Sequence, residues 1–329
     1  MKILFVSSGN HKDFNIAPFI KRQAESLEQN GHEVKFFTVQ NKGITGYLKN
    51  IGNLKKTIKS DQFDIIHAHY TFNGLLALLT LTKKPIVVSY MGADTYGSYN
   101  RKGQIKPSSY INILIAIIIQ PFINGIIVKS PNLKKRIFFN RKAYLIPNGI
   151  NINYFKNIGK EKARKYLNLK MESKVILFLG DKTNKRKNFH LISEAFKQVE
   201  AFKNLNLLAP YPVEPKKIIY YYNAADVLAL SSYDEGSPNV IKEAMACNKP
   251  IVSTNVGDVE WLFGNTEGCY LSDFNPENVA KQLEKAICFS ETKGETKGRD
   301  RIIELKLDAS SVAKKITEVY REVLKQKET

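Results

Sequence analysis

Short apolar, β-branched runs alternate with stretches of helical periodicity along almost the whole chain, and this rhythm restricts the fold more than any other feature. ILFVS (3–7), EVKFFTV (33–39), DIIHA (64–68), PIVVSY (85–90), GIIVKS (125–130) and AYLIP (143–147) read as strands. Between the first two, Ile20, Ala24 and Leu27 share one helical face, with Pro18 near the helix start and Gly31 to stop it. Strand-helix-strand repeats make neighbouring strands parallel and cover both faces of the sheet. After a polar stretch around 150–165 the pattern restarts with VILFLG (175–180), LNLLA (205–209), DVLALSS (226–232), PIVST (250–254) and GCYL (268–271). Helices are expected between them at 188–201, 215–223 and 238–246.

The fold class is therefore α/β, with two doubly wound, Rossmann-like domains in tandem, which suits a chain of 329 residues. The expected domains are 1–155 and 156–305, followed by a helix at 306–329. In that helix Val312, Ile316, Val319 and Val323 recur at helical spacing, so it should pack back on the first domain. ETKGETKGRD (291–300) is a polar near-repeat and reads as a flexible surface loop.

The N-terminal run MKILFVSSGN reads as a first strand rather than a signal peptide, which makes the expected location cytoplasmic. YINILIAIIIQPFINGIIV (110–128) approaches membrane-span length, but Asn112, Gln120, Pro121, Asn124 and Gly125 interrupt it. The expectation is a buried helix ending near Pro121, then a central strand. Cys247, Cys269 and Cys288 show no metal-ligand spacing and read as buried thiols in a reducing compartment. The net charge of +19 fits an anionic partner (a phosphorylated substrate, nucleic acid or lipid headgroups) or lysines scattered over solvated faces. Nucleic acid would call for aromatic platforms interleaved with Arg or Lys, and no ordered run of that kind stands out. The tyrosines at 220–222 fit helix packing better.

The chemistry concentrates in EGSPNVIKEAMACNKP (235–250). It follows DVLALSS, and in open parallel sheets ligands bind beyond the carboxyl ends of strands. Ser237 is a candidate N-cap and Pro238 a candidate first helical residue. Amides at such a helix start favour an anion. Glu235 precedes the helix and Glu243 lies more than a turn inside it, so the two acids can flank one bound molecule. A carboxylate accepting two hydrogen bonds suits a sugar diol. The plainer alternatives are a loop acid for Glu235 and an i,i+4 ion pair for Glu243.

The segment 235–262 resembles the signature of retaining family-4 glycosyltransferases of the GT-B fold, in which two glutamates are separated by seven residues. DIIHAHYTFNGLLAL (64–78), PIVVSYMGADTYG (85–97), IIVKSPNLKKRI (126–137) and YLIPNGININYF (144–155) stand in the expected order. The resemblance implies two domains facing across a cleft, with the donor on the second. It implies Glu243 on the ribose hydroxyls and Glu235 facing the transferred sugar. Asn239 and Val240 would offer backbone amides to the diphosphate or sugar, with Gly236, Ser237 and Pro238 completing the donor turn. In the loop GDKTNKRKNF (180–189), Lys187 matches the family's helix-start lysine. The family's arginine is absent, leaving Lys182 or Arg186 to stand in.

In the first domain, Met91 occupies a position where many relatives carry histidine, while Gly92 and Asp94 keep the remaining pattern. Asp94 joins Glu235 as a candidate catalytic carboxylate. The loop SSGNHKD (7–13) lacks the relatives' double glycine, leaving Gly9 for close approach to phosphate. His69 reads as a polar strand tip at the cleft. His67 and His69 are too close together, and too alone, to argue for zinc. The resemblance further implies sugar transfer from a nucleoside diphosphate to an acceptor hydroxyl, without metal or cofactor. The acceptor would be a sugar or a lipid-linked sugar, in cell-surface polysaccharide or glycolipid assembly. YLKNIGNLKKTIKS (47–60) places Leu48, Ile51, Leu54 and Ile58 near one face among lysines, and could rest on an anionic leaflet or simply pack on the sheet. A nucleotide-sugar epimerase on the same fold and a basic nucleic-acid- or membrane-binding module remain alternative classes.

Overall fold

The computed structural model describes residues 1–10, 15–41, 43–97, 106–199 and 202–328. The loop 7–13 is therefore described only as far as residue 10. The chain divides into two compact units, Met1–Gly149 with Ala309–Thr329, and Ile150–Asp308. These boundaries differ from those expected at 155 and 305. Ile150, Phe155 and Leu307 all enter the core of the second unit, and Ile150 N–H donates to Leu307 O at 2.9 Å. Apolar burial fixes the boundary, and the polar composition of 150–165 obscured it.

In the first unit the chain runs β1 (Lys2–Ser8), α1 (Pro18–Gln29), β2 (Glu33–Val39), α2 (Gly43–Ser60), β3 (Ile65–His69) and α3 (Thr71–Leu79). It continues as β4 (Ile86–Tyr90), α4 (Ala93–Tyr96), α5 (Pro107–Ile118), β5 (Gly125–Val128), α6 (Pro131–Lys134) and β6 (Ala143–Leu145). The strands form one parallel sheet in the order β2-β1-β3-β4-β5-β6. Successive side chains on a strand point to opposite faces. Leu4, Val6, Ile66 and Val88 thus meet Leu54, Ile58 and Leu76 from α2 and α3. Ile3, Phe5, Ile65, Val87 and Ile127 take the opposite face with α1.

The second unit holds α7 (Lys160–Tyr166), β7 (Lys174–Leu177), α8 (Phe189–Gln198), β8 (Leu205–Leu208), α9 (Ile218–Ala224) and β9 (Val227–Leu230). Then come α10 (Asn239–Ala246), β10 (Ile251–Thr254), α11 (Val259–Phe263), β11 (Cys269–Ser272), α12 (Pro276–Thr292) and α13 (Gly298–Glu304). Its parallel sheet has the order β11-β10-β9-β7-β8. The fully buried Arg164 of α7 meets Asp226 at 2.9 Å, and Asp226 also accepts Val175 N–H at 2.7 Å. This pair ties α7 to the starts of β9 and β7; removing one partner from a buried pair costs about 3–5 kcal/mol. The last helix, α14 (Ala309–Glu328), returns to the first unit, where Val312, Ile316, Val319, Tyr320 and Val323 join the α1 side of the core.

Three expectations change, and for α2 the packing alternative is the one found. The segment 291–300 is a surface loop only over 293–297: α12 extends to Thr292 and α13 begins at Gly298. A Cβ at Gly298 would lie 2.8 Å from the Met245 backbone, and Arg299 Nη1 donates to Ile152 O (2.8 Å) and Phe155 O (3.0 Å). Close backbone packing at Gly298 and the hydrogen bonds of the half-buried Arg299 guanidinium hold the start of α13 in place. The helix near 110–118 is not buried, because one apolar side of α5 faces solvent. On α2, Leu54 and Ile58 are buried against the sheet, so the apolar face at 47–60 is already used; only Leu48 is half exposed. Of the thiols, Cys247 is buried, Cys269 is intermediate and Cys288, on α12, is exposed.

Candidate functional site

In the second unit the strand order reverses between β7 and β9, and the loops leaving such neighbouring strands open a crevice at the sheet's carboxyl end. The loop after β7 carries Lys182, Arg186 and Lys187; the loop after β9 carries Glu235. The structure brings Arg186 and Lys187 onto Glu235. Lys187 Nζ lies 2.6 Å from Oε1 and Arg186 Nη1 lies 2.8 Å from Oε2, while Ser232 Oγ donates to Oε1 at 2.9 Å. Backbone contacts hold the two loops together: Arg186 Nη1 donates to Asp234 O, Tyr233 N–H to Arg186 O, and Ser231 Oγ to Lys187 O.

Burial pushes the Glu235 carboxyl up, but Lys187 and Arg186 outweigh it and hold the group below its usual range. The acid is ionised at neutral pH. Lys182 does not join the cluster; its ammonium sits over the Phe189 ring, 5.6 Å from the centroid. Of the two stand-ins for the missing arginine, only Arg186 reaches the acid. Sequence spacing could not separate them, because that depends on the turn at 185–187, where Asn184 caps Arg186 N–H at 3.1 Å.

The helix after Glu235 starts one residue later than expected. Pro238 is the N-cap of α10, and Ser237 does not cap it. The Ser237 hydroxyl instead accepts from Lys242 Nζ at 3.0 Å, because Lys242 is fully buried and needs an acceptor. Asn239 and Val240 open the helix, where first-turn N–H groups lack intrahelical acceptors. Asn239 Oδ1 is buried and has no hydrogen-bond partner. Gly236 is buried beneath Gly257: a Cβ at Gly257 would fall 2.5 Å from Gly236 O, and its φ of +62° also requires glycine. Glu243 is buried on α10 and accepts a hydrogen bond from Tyr222 Oη at 2.7 Å. Tyr222, read from sequence as packing alone, thus also positions the second acid.

Two further residues escaped the sequence reading. Lys242 lies beneath the Glu235–Pro238 turn, and Asp258, after β10, lies beside Ser237 and Lys242. Burial raises the Asp258 carboxyl to about 6, against the pull of Lys242 and Ser237. The sole sequence signal was a glycine-acid pair after a strand.

In the first unit, Asp94 accepts from Met91 N–H (3.0 Å) and Gly92 N–H (2.9 Å), with Gly92 at φ +118°. The carboxylate caps its own turn, and burial lifts it to about 6 despite these bonds. His69 is fully buried rather than a polar tip: its ring stacks on His67 at 4.5 Å, meets Phe5 edge-on at 4.7 Å, and neither nitrogen has a partner. Burial foremost holds both imidazoles well below 6.5. His67 is fixed by Tyr320 Oη (2.6 Å) and Ser89 Oγ (2.8 Å). At Gly9, a Cβ would meet Gln40 Nε2 at 2.5 Å and Thr38 Cβ at 3.1 Å, so its small size admits its own neighbours.

Residues 17–154 match the family described as Glycosyltransferase Family 4, and residues 173–288 match Glycosyl transferases group 1, in order along the chain. The chain belongs to glycosyltransferase family 4. Among curated relatives of this family member, TuaC of Bacillus subtilis, named as a teichuronic acid biosynthesis glycosyltransferase, is 25% identical over 69% of the chain. An uncharacterized glycosyltransferase of Methanocaldococcus jannaschii is 26% identical over 75% of the chain. The matches span 63% and 72% of those relatives' own lengths. Among solved structures, sucrose-phosphate synthase from Thermosynechococcus elongatus superposes with a TM-score of 0.80, at 17% identity, over 99% of this chain and 100% of that one. Anabaena HepE in complex with UDP-glucose gives 0.75 at 17% identity, over 98% and 100%. The family-4 chain has the GT-B fold.

Proposed function

We propose that this family-4 chain transfers a sugar from a nucleoside diphosphate sugar to an acceptor hydroxyl, with retention of configuration and without metal, in cell-surface polysaccharide or glycolipid assembly. The observation that carries the proposal is the convergence of Lys187 and Arg186 on Glu235, next to the open start of α10 at the sheet's switch point. An incoming diphosphate competes with Glu235 for the two cations and finds the first-turn amides of Asn239 and Val240 beside them. Fixed donors aimed at the leaving diphosphate stabilise the charge that grows there as the glycosidic bond breaks, which is the work a divalent cation does elsewhere. Glu235, released from its pairs, remains an anion facing the transferred sugar and stabilises positive charge at its anomeric carbon. The leaving phosphate oxygen takes the acceptor's proton on the same face.

Glu243, held by Tyr222, grips the ribose. Asp94 acts through the Met91–Gly92 turn, whose two amides it orders. HepE's complex with UDP-glucose, and the teichuronic acid role in TuaC's name, put UDP-sugars and a wall-polymer acceptor first in order of trial.

The test is nucleotide release by purified protein across a panel of nucleotide sugars, with and without acceptor. Glu243→Ala should raise the donor KM, and Glu235→Ala should lower kcat. Lys187→Ala should lose roughly tenfold or more in kcat/KM, since a charge-assisted contact is worth about 1.5–3 kcal/mol. Lys182→Ala should stay within about twofold, as expected of an exposed surface cation. Wild-type rates in both glutamate variants would refute the assignment. Conversion of the donor to an epimer without acceptor would put an epimerase in its place.

A further inference from the structure

The helix that opens the apolar 110–128 stretch, α5, has its apolar side in the wrong place for a core helix. Tyr110, Ile111, Leu114 and Ile118 fall at i, i+1, i+4 and i+8, within an arc of about 100°. They face solvent, whereas Ser109 and Ala116 turn inward. The stripe continues beyond the helix. Phe122 lies in the 120–122 turn, and Phe138 follows where Gln120 Oε1 accepts the Phe138 N–H at 3.0 Å. These six apolar side chains are each between 54% and 71% exposed.

The surroundings are cationic. Lys142 Nζ reaches Pro121 O (3.1 Å) and Ile123 O (3.0 Å), with Arg141 beside it, and Lys106 precedes α5. Lys134, Lys135 and Arg136 lead into Phe138. No Asp or Glu occurs between Asp94 and Glu161 in the sequence, and Asp94 itself is buried. The helices packed against α5 are α3, which has no acidic residue, and α4, whose acid is Asp94.

We propose that this face of the first unit docks on an anionic lipid bilayer. Its apolar stripe enters the headgroup boundary, and the flanking lysines and arginines engage the lipid phosphates. Charge complementarity selects this occupant: an apolar stripe flanked by lysines and arginines, in a stretch of sequence without Asp or Glu, matches an anionic leaflet. With 12 residues α5 is about 18 Å long, too short for the ~30 Å hydrocarbon core, so it lies along the surface. The α2 helix cannot take this role because Leu54 and Ile58 are spent on the core. That the bilayer presents a lipid-linked acceptor rests on the transferase reading above; the contact with lipid does not.

Cosedimentation of the full chain with vesicles tests it, using phosphatidylglycerol–phosphatidylcholine against phosphatidylcholine alone, without donor or acceptor. Wild type should pellet with the anionic vesicles and remain in the supernatant with the neutral ones. Leu114→Glu/Ile118→Glu should cut partitioning by about tenfold or more, because two apolar contacts are lost. The charge-matched pair Lys49→Gln/Lys56→Gln on α2 should stay within about threefold of wild type. Both exposed pairs should melt like wild type. Wild type remaining in the supernatant, or Leu114→Glu/Ile118→Glu binding as well as wild type, overturns the proposal. So does a dimer in sedimentation velocity that the same substitutions dissociate while vesicles go unbound. Nucleotide release measured on a soluble acceptor separates failure of docking from failure of the transferase reading.

Discussion

Asp258 offers the sharpest quantitative check, because its carboxyl is buried beside Lys242 and Ser237 and burial outweighs both. Its folded value of about 6 lies above the ordinary 3.8, so the native state holds the proton more tightly than the unfolded chain does. The stability contributed by the neutral acid is therefore complete below 3.8 and is lost as pH rises through about 6. At about 1.4 kcal/mol per pH unit, ionising this group in the folded protein costs about 3 kcal/mol by neutral pH. Asn is close in shape to the protonated acid and cannot ionise. Asp258→Asn should consequently stabilise the 150–308 unit by about 3 kcal/mol near pH 8, and by only about 1 kcal/mol near pH 4.5. For a unit of this size that corresponds to a rise of roughly 6–12 °C in Tm at the higher pH. Scanning calorimetry of both proteins across that range resolves the transition of this unit. An equal Tm difference at both ends of the range, or destabilisation near pH 8, would refute the claim that burial outweighs the attraction of Lys242.

Two other outcomes follow from the geometry. Tyr222→Phe removes the hydrogen bond to Glu243 Oε2 while keeping the ring in the core, so donor KM should rise roughly three- to tenfold with kcat nearly unchanged in steady-state kinetics. Burial lifts the Cys247 and Cys269 thiols to about 12, whereas Cys288 is exposed. Native protein should therefore show one fast-reacting thiol toward a disulfide reagent near pH 8, and Cys288→Ser should abolish it.

The sequence by itself determined the alternation of strands and helices and the return of the last helix to the first unit. Side chains of parallel strands buried on both faces leave apolar β-branched runs, and such runs stand out locally. It also marked out the two glutamates and Lys187, since a helix start after a strand is a local signal and the family pattern repeats there.

What depends on distant neighbours could be decided only by the tertiary structure. The choice of Arg186 over Lys182 and the hold of Tyr222 on Glu243 each join residues from different elements. The same holds for α2 and α5. Both carry apolar residues at helical spacing, and the period alone cannot tell a face pressed on a sheet from one turned to solvent. Only packing reveals that Leu54 lies in the core and Leu114 outside it, because burial belongs to the assembled layers and not to the helix.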